Sequence, residues 1–154
     1  MVSKRKFLGI LVLFLVFGMM VTGCLSLFAP KPPAQPATFR SGSAGDTTIL
    51  LRQGLNFDQA FREVIFILNR HGFEPEMMQP EVGFVRTRWN TTWVTAGVGA
   101  HYRVRVTINF NPSRTQLILG APSEWSIDGI NWIAGYDTRA IETLRSDLTQ
   151  IIGN

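Results

Sequence analysis

At Gly72 the hydrophobic period of the chain changes from 3.6 residues to 2, a switch that restricts the fold to helices packed on strands. Upstream, apolar residues recur at Phe57, Ala60, Phe61, Val64, Ile65 and Leu68, the stripe of a helix with one buried face. Asn56 stands where an N-cap is needed, Gln59 follows as part of a capping box, and Gly72 suits the C-terminal cap. Downstream, the side chains alternate. Phe73, Pro75 and Met77 oppose Glu74 and Glu76; Val85, Thr87 and Trp89 oppose Arg86 and Arg88. The longest alternation sets Tyr102, Val104, Val106, Ile108 and Phe110 against Arg103, Arg105, Thr107 and Asn109. Turns are expected over residues 79–83 (QPEVG) and 111–114 (NPSR), the second leading into a strand over 115–121 in which Leu117 and Leu119 face Ile108 and Val106. A first strand is expected over 47–52. A last helix over 138–152 carries Ile141, Leu144, Leu148, Ile151 and Ile152, with Asp137 as its cap. The expected class is α+β, in the order β-α-β-β-β-β-α: a four- or five-stranded antiparallel sheet with two helices on one face.

The chain has 154 residues, a formal net charge of +4 and a pI near 9.8, but the positive charge is unevenly placed. Lys4, Arg5 and Lys6 precede an uncharged apolar run, FLGILVLFLVFGMMVT, that is shorter than the roughly 20 residues a bilayer-spanning helix needs. This is the layout of a secretory signal peptide. It ends in Val21-Thr22-Gly23-Cys24, which resembles a bacterial lipobox, and Cys24 is the only cysteine, so disulfides and cysteine-metal sites are excluded. The lipobox implies cleavage before Cys24 and acylation of that residue, a palmitate-type membrane anchor. Leu25 in place of Asp favours the outer membrane, with the folded part in the periplasm. Residues 24–45, with prolines at 30, 32, 33 and 36, read as an extended tether, and a single domain is expected over 46–154. That domain is close to neutral, at −1, and all of its basic residues are Arg, so nucleic acid is not an expected partner.

Catalytic chemistry has little to stand on. His71 and His101 lie at no metal-ligand spacing, and there is no phosphate loop or nucleophile elbow. No enzyme activity, cofactor or metal is expected. The arginines are the stronger signal. Arg86, Arg88, Arg103 and Arg105 fall on one sheet face, where Glu76 and Glu74 would pair with Arg86 and Arg88, while Gly120 and Pro122 would leave Arg103 and Arg105 without partners. Such a strip could grip carboxylates or phosphates, or could be an ordinary solvated face. Trp89 has the phase of a core residue. Trp93, in the connection over 91–100 with Gly97 and Gly99, suits a protein, glycan or lipid-headgroup contact, or packing beneath the loop.

The stretch FDQAFREVIFILNRHGFEPEMMQPEVGFVRTRW resembles the repeat unit of the C lipoproteins of the outer-membrane β-barrel assembly machinery. The likeness lies in an early Phe-Asp on the helix, a central Ala, a Gly-aromatic exit and a Gly-led strand of aromatic and basic residues. It implies a helix-grip fold and a non-enzymatic, lipid-anchored binding or scaffold module in outer-membrane assembly or maintenance. Two features depart from the family, which carries two such domains and a long unstructured N-terminal segment that contacts its partner. Here one domain follows a short proline-rich tether. The alternative expectation is a carrier or sensor that grips an anionic lipid or glycan between helix and sheet.

Overall fold

Asn56 opens the first helix, its side-chain oxygen accepting the backbone N–H groups of Asp58 and Gln59 at 2.8 and 3.3 Å. This satisfies donors that a helix start leaves without partners. The helix, α1 (Phe57–Arg70), ends at His71, and Gly72 takes the left-handed conformation with φ +76°. Asp137 caps the second helix, α2 (Thr138–Ile152), by accepting the N–H of Ala140 at 2.7 Å. Both helices bury one face, Ala60, Phe61, Val64, Ile67 and Leu68 on α1 and Ala140, Leu144, Leu148 and Ile152 on α2; Ile67 and Ala140 join the expected stripes, while Phe57, Ile65, Ile141 and Ile151 are only partly buried at their margins. These features come from a computed structural model that describes residues 33–43, 45–94 and 100–154, within a compact unit starting at Pro33. The segments read as signal peptide, anchor cysteine and early tether lie outside the described residues, as do 95–99 of the long connection. Among the described residues no helix is long and apolar enough to cross a membrane.

The class is α+β with antiparallel strands, as expected, but there are two sheets rather than one. The strands are β1 (Phe39–Ser41), β2 (Thr47–Leu50), β3 (Pro75–Gln79), β4 (Phe84–Thr87), β5 (His101–Val104), β6 (Thr107–Phe110), β7 (Gln116–Gly120), β8 (Pro122–Ser126) and β9 (Ile133–Asp137). One sheet runs β1-β9-β8-β5 and the other β2-β7-β6-β4-β3. Their junction is continuous chain: β5 runs into β6 through Arg105 and Val106, and β7 runs into β8 through Ala121. Alternation holds through the first junction, where Tyr102, Val104, Val106, Ile108 and Phe110 are all buried. A single long hairpin therefore belongs to both sheets.

Three expectations need correction. Residues 122–137, which the expected element order leaves between its last strand and its last helix, contain two strands, β8 and β9. The folded unit also starts ahead of Asp46, because Phe39 is fully buried and β1 pairs with β9. Third, the long hairpin sits two residues away from its expected register, with Ile108 opposite Leu119 and Phe110 opposite Leu117. The turn causes this shift. The backbone N–H of Asn111 donates to the carbonyl of Gln116, and its Oδ1 accepts from the N–H groups of Thr115 and Gln116, so the loop closes over four residues and Arg114 adopts φ 54°. A slip of two keeps every side chain on its face and changes only its partner.

Helix and sheet meet in one core. Val64, Ile67 and Leu68 of α1, Leu144, Leu148 and Ile152 of α2, and Val85, Ile108, Leu117 and Leu119 of the sheet are all fully buried. The two helices pack against each other, α2 also against β2 and β7. That leaves the opposite sheet face to the polar residues of the alternation.

Candidate binding surface on the outer sheet face

The four arginines do lie on the outer side, but their partners differ from those the sequence suggested. Arg86 pairs with Glu76 at 3.3 Å, as expected, although a bulge between Pro75 and Met77 sets Met77 across from Arg86. Arg88 has no ion pair among the described residues; its backbone N–H donates to the carbonyl of Glu74. Arg103 is not left alone. The two-residue shift brings it opposite Glu124, and its Nε and a terminal nitrogen reach Oε2 at 2.7 and 2.5 Å. Glu124 lies on β8. Arg105 falls opposite Pro122, where its backbone N–H donates to the proline carbonyl.

Trp89 is on the outer face rather than in the core, and the backbone explains why. Thr87 donates to Val106, while Asn90 exchanges both backbone bonds with Val104. Three steps on one strand match two on the other, so Arg88 and Trp89 together oppose Arg105, and the bulge turns the indole outward. There the guanidinium carbons of Arg103 and Arg105 lie 4.8 and 4.4 Å from its ring centre. Trp132, from the β8–β9 hairpin, contacts Arg103 at 4.2 Å. Arg103 therefore touches two indoles and one carboxylate, a set of cation–π contacts worth about 0.5–1 kcal/mol each at exposed sites. The Nε of Arg105 is buried without a hydrogen-bond partner.

Trp93 stands apart from this group. Its ring packs on Phe73 at 4.9 Å, with His71 at 6.4 Å and the Arg139 guanidinium at 5.6 Å, so it belongs to the core side of the domain. His71 bonds to Asp147 at 2.7 Å between the helices. His101 lies beside Trp132 and lines a cleft of about 430 Å³ with Thr91, Thr92, Val94 and Tyr102. A second cleft, about 240 Å³, lies between Glu74, Arg88, Trp89 and Asn90. Among the described residues there is no group of three or more His, Cys, Asp or Glu side chains able to hold a metal.

The resulting surface combines Arg103 of β5 and the adjoining Arg105 with Trp89, just past β4, and Trp132 of the β8–β9 turn. The sequence reading named the two arginines but missed both indoles; the extra residue between Thr87 and Asn90 was the missed signal. No protein-family model matches the chain, and no curated protein matches it.

Proposed function

We propose that this chain is a non-enzymatic, lipid-anchored envelope protein, a binding or scaffold module in outer-membrane assembly or maintenance. Its partner docks on the outer sheet face around Trp89 and Arg105. One observation carries the reading: two tryptophans and two arginines are stacked on one another through cation–π contacts, and Arg105 forms no ion pair among the described residues. Trp and Arg are the residue types that dominate binding energy at protein interfaces. The roles of the arginines divide. Arg103, held by Glu124 and two indoles, positions the cluster, whereas Arg105 offers its charge to the partner. The lipobox at Val21-Thr22-Gly23-Cys24 supports the anchor.

A photo-crosslinking residue at Arg88, in cells expressing the full chain, tests the docking face. The expected result is a discrete adduct that disappears with Trp89→Ala and is absent from a crosslinker at Val82. An adduct indifferent to Trp89→Ala and Arg105→Glu would remove the outer face from the proposal. Labelled palmitate tests the anchor separately, and membrane retention unchanged by Cys24→Ala would refute it.

A further inference from the structure

The hairpin between β8 and β9 exposes three aliphatic side chains within seven residues: Ile127 at 48%, Ile130 at 80% and Ile133 at 47%. This exposure does not come from a loose loop. The Ser126 Oγ accepts the N–H groups of Asp128 and Gly129 at 3.3 and 2.9 Å. Asp128 Oδ1 accepts those of Ile130 and Asn131, both at 2.8 Å, and the Trp132 indole N–H donates to the carbonyl of Gly129 at 3.1 Å. The turn is thus built to hold Ile130 outward.

We propose that this hairpin apex enters the headgroup layer of the membrane, with Ile127, Ile130 and Ile133 as the inserted side chains. The inference rests on the lipid-anchor reading above. Nine residue steps separate Cys24 from Pro33, so an acylated chain holds the folded unit within about 30 Å of the bilayer. Three factors favour a lipid surface over a protein groove. The exposed apolar side chains of the apex are all isoleucines, with none of the Trp, Tyr and Arg side chains that dominate protein hot spots. Trp132 lies directly behind it, as interfacial indoles do behind inserted aliphatic groups. The charge is also suitable: Glu124 is taken up by Arg103, so that carboxylate does not face the lipid unpaired. Asp128 sets the depth. The backbone N–H groups of Asn131 and Ile130 hold its carboxyl well below the usual carboxylate range, so it stays ionised and confines the apex to the headgroups.

The test uses the full chain purified with its lipid and reconstituted into vesicles of phosphatidylethanolamine and phosphatidylglycerol. With Cys24 acylated, Ile130→Cys supplies a single free thiol for a polarity-sensitive dye. Val82→Cys, 67% exposed on the β3–β4 turn at the opposite end of the long hairpin, is the reference. The expected result is a blue-shifted emission at position 130 and several-fold stronger quenching there than at 82 by a headgroup-level spin-labelled lipid. Adding Ile127→Ser and Ile133→Ser lowers the inserted-to-free ratio by about tenfold or more, given the transfer free energy of the lost side chains. Equal quenching at the two positions overturns the proposal. So does a shift at 130 that requires envelope extract rather than lipid, which assigns the apex to a protein partner. Dye uptake at Cys24 in the unsubstituted chain is a failure of the anchor reading alone. Quenching of Ile130→Cys in a Cys24→Ser background, mixed with the same vesicles, then decides the apex by itself.

Discussion

Asp137 is fully buried and accepts three hydrogen bonds: from the Tyr102 hydroxyl at 2.5 Å, the Thr38 hydroxyl at 2.8 Å and the Ala140 N–H at 2.7 Å. One carboxylate therefore joins β5, the segment before β1 and the start of α2. Removing it with Asp137→Ala costs about 2–4 kcal/mol, the sum of a lost cap and orphaned buried donors, measurable by urea denaturation. Burial, reinforced by the bond to Asp137, pushes the Tyr102 hydroxyl above its ordinary value. Folding thus favours the protonated phenol. The stability it contributes is complete below about pH 10 and declines as pH rises beyond that. Tyr102→Phe is expected to flatten the alkaline limb of a stability–pH curve, and an unchanged slope would place the cause elsewhere. At this scale the sequence located Asp137 as a cap but not as a hub, because its two hydroxyl partners come from positions 38 and 102. On the outer face, Arg105→Glu is expected to cost about 1 kcal/mol of stability, the scale of the cation–π contact with Trp89 that it gives up, while abolishing the crosslink at Arg88.

Among the elements, those with a clean hydrophobic period are readable from the sequence, and two strands without one, β8 and β9, are not. α1, α2, β4 and β6 follow their patterns, whereas β8 begins at Pro122 and β9 contains Gly135, residues that normally argue against a strand. Gly135 has a specific purpose: a Cβ there would strike the carbonyl oxygen of Arg40 and lie 2.6 Å from the Phe39 ring. Gly135→Ala is therefore expected to loosen β1, read as faster tryptic cleavage after Arg40 at unchanged overall helicity. The two helices are linked by Asp147, which receives His71 and Arg70. His71 first, then Arg70, holds the Asp147 carboxyl below its ordinary value, so its contribution is present above about pH 4 and is lost as pH falls further. Asp147→Asn is expected to soften the acid limb of the curve.

For the molecule as a whole, the composition changes near Asp46, yet burial continues back to Phe39. A proline-rich stretch conceals a three-residue strand because prolines at 33 and 36 stop before the paired segment begins. A chain starting at Asp46 loses Phe39 and β1, and is expected to be less stable than one starting at Pro33 by about 3–5 kcal/mol, comparable to truncating a buried phenylalanine. Equal denaturation midpoints would show β1 to be dispensable. The candidate surface was half legible. Face assignment follows the period and survives a slip of two residues, whereas partners depend on turn length and bulges, which the period does not encode.

The pairing of β1 with β9 also sets how the protein bears a pull. Phe39 lies across from Asp137 and Ser41 across from Gly135, so the chain enters β1 at the end of β9 remote from the Ile130 apex. Tension from the N-terminal side, with the apex held, runs along the strands. The backbone bonds of β1 are then sheared together instead of being peeled one after another, and the buried Phe39 ring acts as the peg that keeps them from sliding.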